Sequence, residues 1–262
     1  MTLKAMTWNI NTGAGERLDA ILDVLRRERP DLLSLQELRD FGRHGGRRMR
    51  EVAGALGMHA HLSPSVFGQP VAVLARPPLR FIRTRAIRWQ LHHAAASAVV
   101  PTSGGPLTVV STHLNPYSPN RRMREARWLS ARYASRRKLV LFAGDLNSLD
   151  PGTDHTAALQ RLGEPYRRRH VAADGTADTR AMAAFAEAGF VDLWPLVGEG
   201  DGCTAPTSEG GGREFSGMRL DYLLGSPKLA RLARHAWVVR GGAAEHASDH
   251  YPVAVELAVR PA

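Results

Sequence analysis

The chain holds a single cysteine, Cys203, in 262 residues. No intramolecular disulfide can form, which fits a reducing compartment. No apolar run approaches the ~18 residues that a membrane-crossing helix needs. The opening residues MTLKAMTWNI pass straight into a strand pattern, without the apolar core of a signal peptide. A soluble, cytoplasmic protein is expected. Clusters of Cys and His with zinc-ligand spacing are absent, so a structural zinc site is disfavoured. There is no internal repeat, no linker between two compositional halves, and no segment that calls for an obligate protein partner. Residues 1–262 therefore read as one domain, long enough to bury roughly 70–75% of the unfolded surface.

Acidic residues are outnumbered. The formal net charge is +10, from 35 Lys and Arg against 25 Asp and Glu. A basic surface concentrates anionic partners and speeds their encounter. The support for a polyanionic substrate is modest, because the chain is rich in Arg, Ala and Gly and poor in Lys, as a GC-rich genome would dictate.

Strand-like runs cover Leu3–Ile10, Asp31–Gln36, Pro70–Ala75, Ala94–Val100, Leu107–Thr112, Leu139–Ala143, Arg219–Leu224, His235–Val239 and Pro252–Val259. Helical patterns lie between them. Glu16–Arg29 sets Leu18, Ile21, Leu22 and Leu25 on one face, and Pro30 stops it. Pro119–Arg137 follows Ser118, an N-cap with Pro at the first helical position. Met49–Leu56, Thr156–Leu162 and Thr179–Ala188 are shorter candidates. Alternating strands and helices predict an α/β domain, with hairpins requiring antiparallel pairing too. Nine strands suit two packed mixed sheets better than one open sheet. Arg39–Arg48 and the Gly/Ser-rich stretch Gly198–Gly217 read as loops, of the kind that line substrate sites.

Polar clusters end or interrupt six of these strands. They are Asn9 and Asn11 in TWNIN, Gln36-Glu37 in LLSLQE, Thr112-His113 in STHLN, Asp145 and Asn147 in GDLN, Asp221 in RLDYLL, and Asp249-His250 in SDH. One such residue is a turn or a helix cap. Six clusters in one chain gather at a sheet rim and build a site. In residue type and order they resemble the endonuclease/exonuclease/phosphatase superfamily of metal-dependent phosphoesterases, from Met6 to Glu256. The resemblance implies a four-layer sandwich: two mixed β-sheets flanked by helices.

Phosphoester hydrolysis needs a divalent cation, an aimed water and groups that stabilise the extra charge of the transition state. Oxygen donors suit magnesium, with manganese as a substitute. A carboxylate at the end of a buried strand, as at Glu37, is costly without a partner. The Gln36-Glu37 pair matches the superfamily's metal-binding motif, with Asp249 as a second carboxylate and Asn9 as a neutral oxygen donor. Asn11 is a substrate contact or simply a turn residue before Thr12-Gly13. By the resemblance, Asp145 orients and deprotonates the attacking water, and Asn147 holds that water or a phosphate oxygen. His250 pairs with Asp221 and serves either as base or as transition-state stabiliser. His113 binds phosphate, with Asn115 beside it. His92-His93 could touch substrate or nothing.

The substrate is less defined. Leu38-Arg39-Asp40 after Glu37 departs from the QETK of exonuclease III type enzymes. Basic clusters flank the motifs: Arg39, Arg43, Arg47, Arg48 and Arg50; Arg121, Arg122, Arg124 and Arg127; Arg167, Arg168 and Arg169. On one face they would form a track for nucleic-acid phosphates, with Arg121 and Arg122 nearest His113. The expected activity is that of a nuclease acting on DNA or RNA. A phosphatase for a small or lipid phosphate is the alternative, and a catalytically dead scaffold is disfavoured by the intact motifs.

Overall fold

The computed structural model describes residues 2–262. The first half of the chain runs β1 (Leu3–Asn9), α1 (Leu18–Glu28), β2 (Leu32–Gln36), α2 (Arg43–Leu56), β3 (His59–Ser63), β4 (Val71–Ala75), β5 (Arg83–Ile87) and β6 (Ala94–Val100). It continues with β7 (Leu107–His113), α3 (Pro119–Tyr133), β8 (Leu139–Asp145), α4 (Thr156–Arg161), α5 (Glu164–Arg167) and α6 (Arg180–Glu187). The last part is β9 (Val191–Asp192), α7 (Trp194–Val197), β10 (Asp221–Gly225), α8 (Pro227–Ala230), β11 (Ala233–Val238) and β12 (Val253–Leu257).

The strands form two six-stranded mixed sheets, in the orders β11-β12-β1-β2-β4-β3 and β5-β6-β7-β8-β10-β9. Their central strands are apolar on both faces, so both faces must be covered. The inner faces pack on each other: Leu3, Ala5, Leu32 and Val73 of the first sheet share a cluster with Val109, Leu141, Ala143 and Leu223 of the second. Outside the first sheet, Met6, Trp8, Leu33 and Leu35 pack with Ile21 and Leu25 of α1 and Met49 and Val52 of α2. Outside the second, Val110, Phe142 and Leu224 meet Ala126 and Leu129 of α3 and Phe185 of α6. The four-layer sandwich expected from the sequence is the architecture observed.

Several boundaries shift. The predicted helix to Arg137 ends at Tyr133, because Ser135 Oγ accepts the Arg137 and Lys138 N–H groups and turns the chain. The helix predicted from Met49 is assigned from Arg43, but His44, Gly45 and Gly46 are left-handed. Its regular part follows them. Asp221 opens β10 rather than lying mid-strand. Strands β3 and β5 were not expected. RTRAI lacks apolar alternation, and HAHLS alternates over only two apolar residues, Ala60 and Leu62. They form by pairing with β4 and β6.

Side chains alternate along a strand, so residues two apart share a face. Counting from the inner-face residues Ala5, Val109, Ala143 and Leu223 puts Asn9, His113, Asp145 and Asp221 on the inner faces too. Asp145 pairs with His113 across the parallel β7–β8 ladder and with Asp221 across the antiparallel β8–β10 ladder. One rim of the sandwich thus collects a row of polar side chains. Gly144 is required beside it: a Cβ there would lie 1.9 Å from the Thr112 carbonyl oxygen. Gly144→Ala must separate β7 from β8. It is expected to cost at least the ~1–3 kcal/mol of overpacking, measured by urea unfolding, and to disturb the His113–Asp145 contact.

Candidate active site

Asp145 is buried at the end of β8, where every approach is a hydrogen-bond donor or a charge. Its Oδ2 accepts from Asn9 Nδ2 at 3.0 Å, and its Oδ1 accepts the Asn147 N–H at 2.8 Å. His113 Nε2 stands 3.3 Å from Oδ2, and His250 Nε2 stands 3.8 Å from the same oxygen. On its other side His250 Nδ1 meets Asp221 Oδ2 at 2.7 Å. Burial raises the Asp145 carboxyl to about 7, opposed by the His250 charge and reinforced by Asp221. Burial disfavours the His250 cation. Asp221 and Asp145 outweigh it and hold the imidazole pKa well above its ordinary value. His113 goes the other way: burial, then the charge on His250, lowers it to about 3. The site therefore pairs a charged His250 with a neutral His113.

Glu37 and Asp249 lie on the first-sheet side. Glu37 has a left-handed backbone, φ 60°, as does Asn147 at 49°. Such strain in non-glycine residues persists only where surroundings enforce it, often at functional sites. Glu37 Oε1 accepts from Asn9 Nδ2 at 3.1 Å, while Oε2 accepts the Thr12 N–H at 2.8 Å and Gln69 Nε2 at 2.9 Å. Burial raises the Asp249 carboxyl; His250 opposes this and the charge on Glu37 adds to it. Asp249 thus senses the charge on Glu37, while the Asn9 amide turns its nitrogen to Glu37 and its oxygen to the Asn11 N–H; oxygen donors of this kind suit a hard divalent cation. A second set, Asp145, Asp221 and His250, brings ligand atoms within 4.8 Å of one another. It is already joined by hydrogen bonds.

Residues without distinctive sequence signals hold these groups. Trp8 Nε1 donates to the His250 carbonyl at 2.7 Å, and Ser248 Oγ to the Asn9 carbonyl at 2.6 Å. Thr204 Oγ1 accepts the Leu220 N–H at 3.0 Å and the Asp221 N–H at 3.3 Å, and Phe215 sets its ring edge-on to His250. Both belong to the Gly-rich loop, which does line the site. His93 stacks on His113 with centroids 4.0 Å apart. Its Nδ1 accepts the Gln69 N–H at 2.7 Å, so the ring proton sits on Nε2, which is buried without a partner among the described residues.

The basic track needs correction. Arg122 is fully buried, its guanidinium donating to the carbonyls of Asn115 and Arg169. It is a strut inside the protein and cannot reach a substrate. Arg43 and Arg47 are paired with Asp40 and Glu51, and Arg50 folds back onto the Gly45 carbonyl. Arg168 lies near Glu164, and Arg169 lies over the rings of Tyr117 and Tyr166. Arg121, Arg124 and Arg127 stay exposed with no carboxylate partner among the described residues. Asn115 is buried and commits its Oδ1 to the N–H groups of Tyr117 and Ser118. Asn11 lies in a left-handed turn, its N–H donated to Asn9 Oδ1.

Fold and site together define a metal-dependent phosphoesterase class. The sequence matches the Endonuclease/Exonuclease/phosphatase family over residues 6–250, and the chain belongs to that family. Comparison with curated proteins finds no match. Among solved structures, the endonuclease/exonuclease/phosphatase of Bacteroides vulgatus superposes with a TM-score of 0.73 at 12% identity, covering 100% of both chains. A mannosyl-6-phosphatase of Bacteroides thetaiotaomicron VPI-5482 gives 0.70 at 14% identity, covering 97% of this chain and 99% of that one. D. rerio TDP2 complexed with single strand DNA product gives 0.68 at 17% identity, covering 97% and 98%. No helix among the described residues is long and apolar enough to cross a membrane.

A buried clamp supports the loop that follows His113. Glu125 of α3 accepts the N–H groups of His92 and Asn115, each at 2.7 Å. Burial pushes its carboxyl up to about 7, against those two N–H groups and the nearby arginines. The unfolded chain releases this proton near 4.5, so the native state holds it longer. Stability is therefore predicted to fall as pH rises from about 4.5 to 7, by up to ~1.4 kcal/mol per pH unit from this group. Urea unfolding of Glu125→Gln across that window should show a correspondingly shallower decline.

Proposed function

We propose that the protein is a cytoplasmic, magnesium-dependent phosphodiester hydrolase that cleaves nucleic acid by in-line attack of water. The observation that carries this reading is the buried row His113–Asp145–His250–Asp221, with the carboxylates Glu37 and Asp249 near enough for one to feel the other's charge. Glu37, Asp249 and the Asn9 amide would hold the cation, magnesium or, on the same oxygen donors, manganese. Bound there, it would draw charge from a phosphate oxygen. The second donor set is the weaker seat, because a protonated His250 has no lone pair to offer.

Asp145, with its raised pKa, is the base that takes the proton of the attacking water. The Asn147 amide, whose Nδ2 donates to the Leu114 carbonyl at 3.2 Å, would offer its oxygen to that water. His250, held charged and oriented by Asp221, offers Nε2–H to the phosphate as charge builds up. Neutral His113 and Asn9 complete the polar surround without adding a competing base. Asp221 acts through His250.

Nucleic acid as substrate is supported by the +10 net charge and by Arg121, Arg124 and Arg127 beside the His113 loop. The fold shared with TDP2 bound to single strand DNA product points the same way. The likeness to a mannosyl-6-phosphatase favours a second reading, a phosphomonoesterase for a small phosphate.

Two sets of measurements follow. Chelator should abolish turnover, and Glu37→Ala should most weaken its dependence on magnesium. Asp145→Ala and His250→Ala should each lower kcat by roughly 10²–10⁴. Asp221→Ala should cost less, and far less than additively when combined with His250→Ala. Full activity in chelator would overturn the mechanism. For the substrate, nucleic-acid affinity should fall with salt, and Arg121→Ala should flatten the log–log slope by about 0.7–0.9. A salt-independent enzyme that turns over phosphomonoesters and leaves oligonucleotides intact would establish the second reading instead.

A further inference from the structure

A cavity of about 760 Å³ opens beside the row of site histidines. Phe67, Trp89, His92, Asn115, Arg121 and Arg124 line it. His92 connects it to the site: its ring lies 4.7 Å edge-on from His93, which stacks on His113. The cavity is built from residues unusual for a surface. Phe67 and Trp89 are 65% and 68% exposed, among the few large apolar side chains the protein leaves in water. Arg121 and Arg124 stand next to them with no carboxylate partner among the described residues.

The two aromatic residues sit on loops that are fastened to each other. Ser65 Oγ donates to the His93 carbonyl at 2.7 Å and accepts the Gly68 N–H at 2.9 Å. The Gln69 N–H is donated to His93 Nδ1. Gly68 fits against the His93 ring so closely that a Cβ would lie 2.2 Å from Nδ1. From below, Glu125 holds the backbone N–H groups of both His92 and Asn115. The exposed rings therefore project from a braced platform, and their exposure does not come from a loose loop.

Flat apolar rings next to unneutralised guanidinium groups match a ligand that alternates planar rings with phosphates. We propose that this cavity binds an unpaired nucleobase of the nucleic-acid strand being cleaved, stacked on Trp89 or Phe67, with flanking phosphates on Arg121 and Arg124. An unpaired base is required, because in a duplex both faces are already covered by neighbouring bases. Stacking on an aromatic side chain is tolerant of sequence and strong enough to set affinity. This inference rests on the nuclease reading of the adjoining site.

The test compares a single-stranded oligonucleotide with one of equal length whose bases near the cleavage position are replaced by abasic spacers. Both carry the same phosphates. The unmodified protein with magnesium should cleave the base-containing strand with a KM roughly 5- to 100-fold lower, the range of one base–aromatic stack. Trp89→Ala and Phe67→Ala should collapse that ratio toward one. The ratio is insensitive to a loss of folded protein, which affects both substrates alike. A second readout needs no turnover: in chelator, the base-containing strand should quench tryptophan fluorescence, and Trp89→Ala should remove most of the quench. An unchanged ratio in both variants, or an equal preference for the two strands in the unmodified protein, overturns the pocket while leaving the nuclease intact. If the unmodified protein cleaves neither strand but turns over a phosphomonoester, the nuclease reading falls and the pocket falls with it.

Discussion

The Asp145 carboxylate is the point on which the rest of the site depends. It is buried, it lies at the meeting of three strands, and it touches both sheets. His113 and Asp221 face it across the ladders of its own sheet, while Asn9 reaches it from the other. A lone ionised carboxylate in such a place would be too costly to keep. Amide donors, a backbone N–H and the His250 cation offset that cost, and they also aim the carboxylate. Burial lifts the carboxyl pKa and these contacts pull it back down. The balance leaves it at about 7, a value that suits the proposed role of general base.

The site is an electrostatic arrangement of two halves. On one side, His250 is kept charged between two carboxylates. On the other, the charge on Glu37 adds to burial in raising the Asp249 carboxyl, and neither carboxylate has a Lys or Arg partner among the described residues. The first half sets one imidazolium against two carboxylates, with His113 held uncharged so that it adds no further repulsion to His250. The second half is left with excess negative charge. In the proposed reading, that asymmetry would favour a divalent ion on the Glu37 side.

Precision comes from the supports rather than the site residues alone. Trp8 fixes the backbone of His250, Ser248 ties its loop to the end of β1, and Thr204 holds the start of β10. Arg122 is the most instructive of these. An arginine a few residues after His113 looks like a substrate contact in sequence, yet here it is a buried strut. Its charge is spread over two backbone carbonyls, and with Glu125 it anchors the loop that begins at His113. The exposed positive charge of this helix comes instead from its neighbours Arg121, Arg124 and Arg127.

The sequence by itself determined which strand ends carry polar side chains. Alternation along apolar strands, broken at one end by Asn9, Glu37, His113, Asp145 and Asp249-His250, already implies a common rim, because the two-residue period fixes which side chains share a face. It also determined the layered α/β class, since strands apolar on both faces must be sandwiched. Strands β3 and β5 escaped, because their pairing with β4 and β6 carries information their own composition does not. The arginines could not be sorted from the sequence either. Whether a guanidinium faces solvent, a carboxylate or the interior depends on which helix face packs inward and which loop lies over it. The stacking of His93 on His113, the Trp8–His250 bond and the exposed Phe67 and Trp89 likewise join segments far apart in the chain. Only the tertiary structure brings them together, because local patterning sets the face a residue occupies but not the partner it meets there.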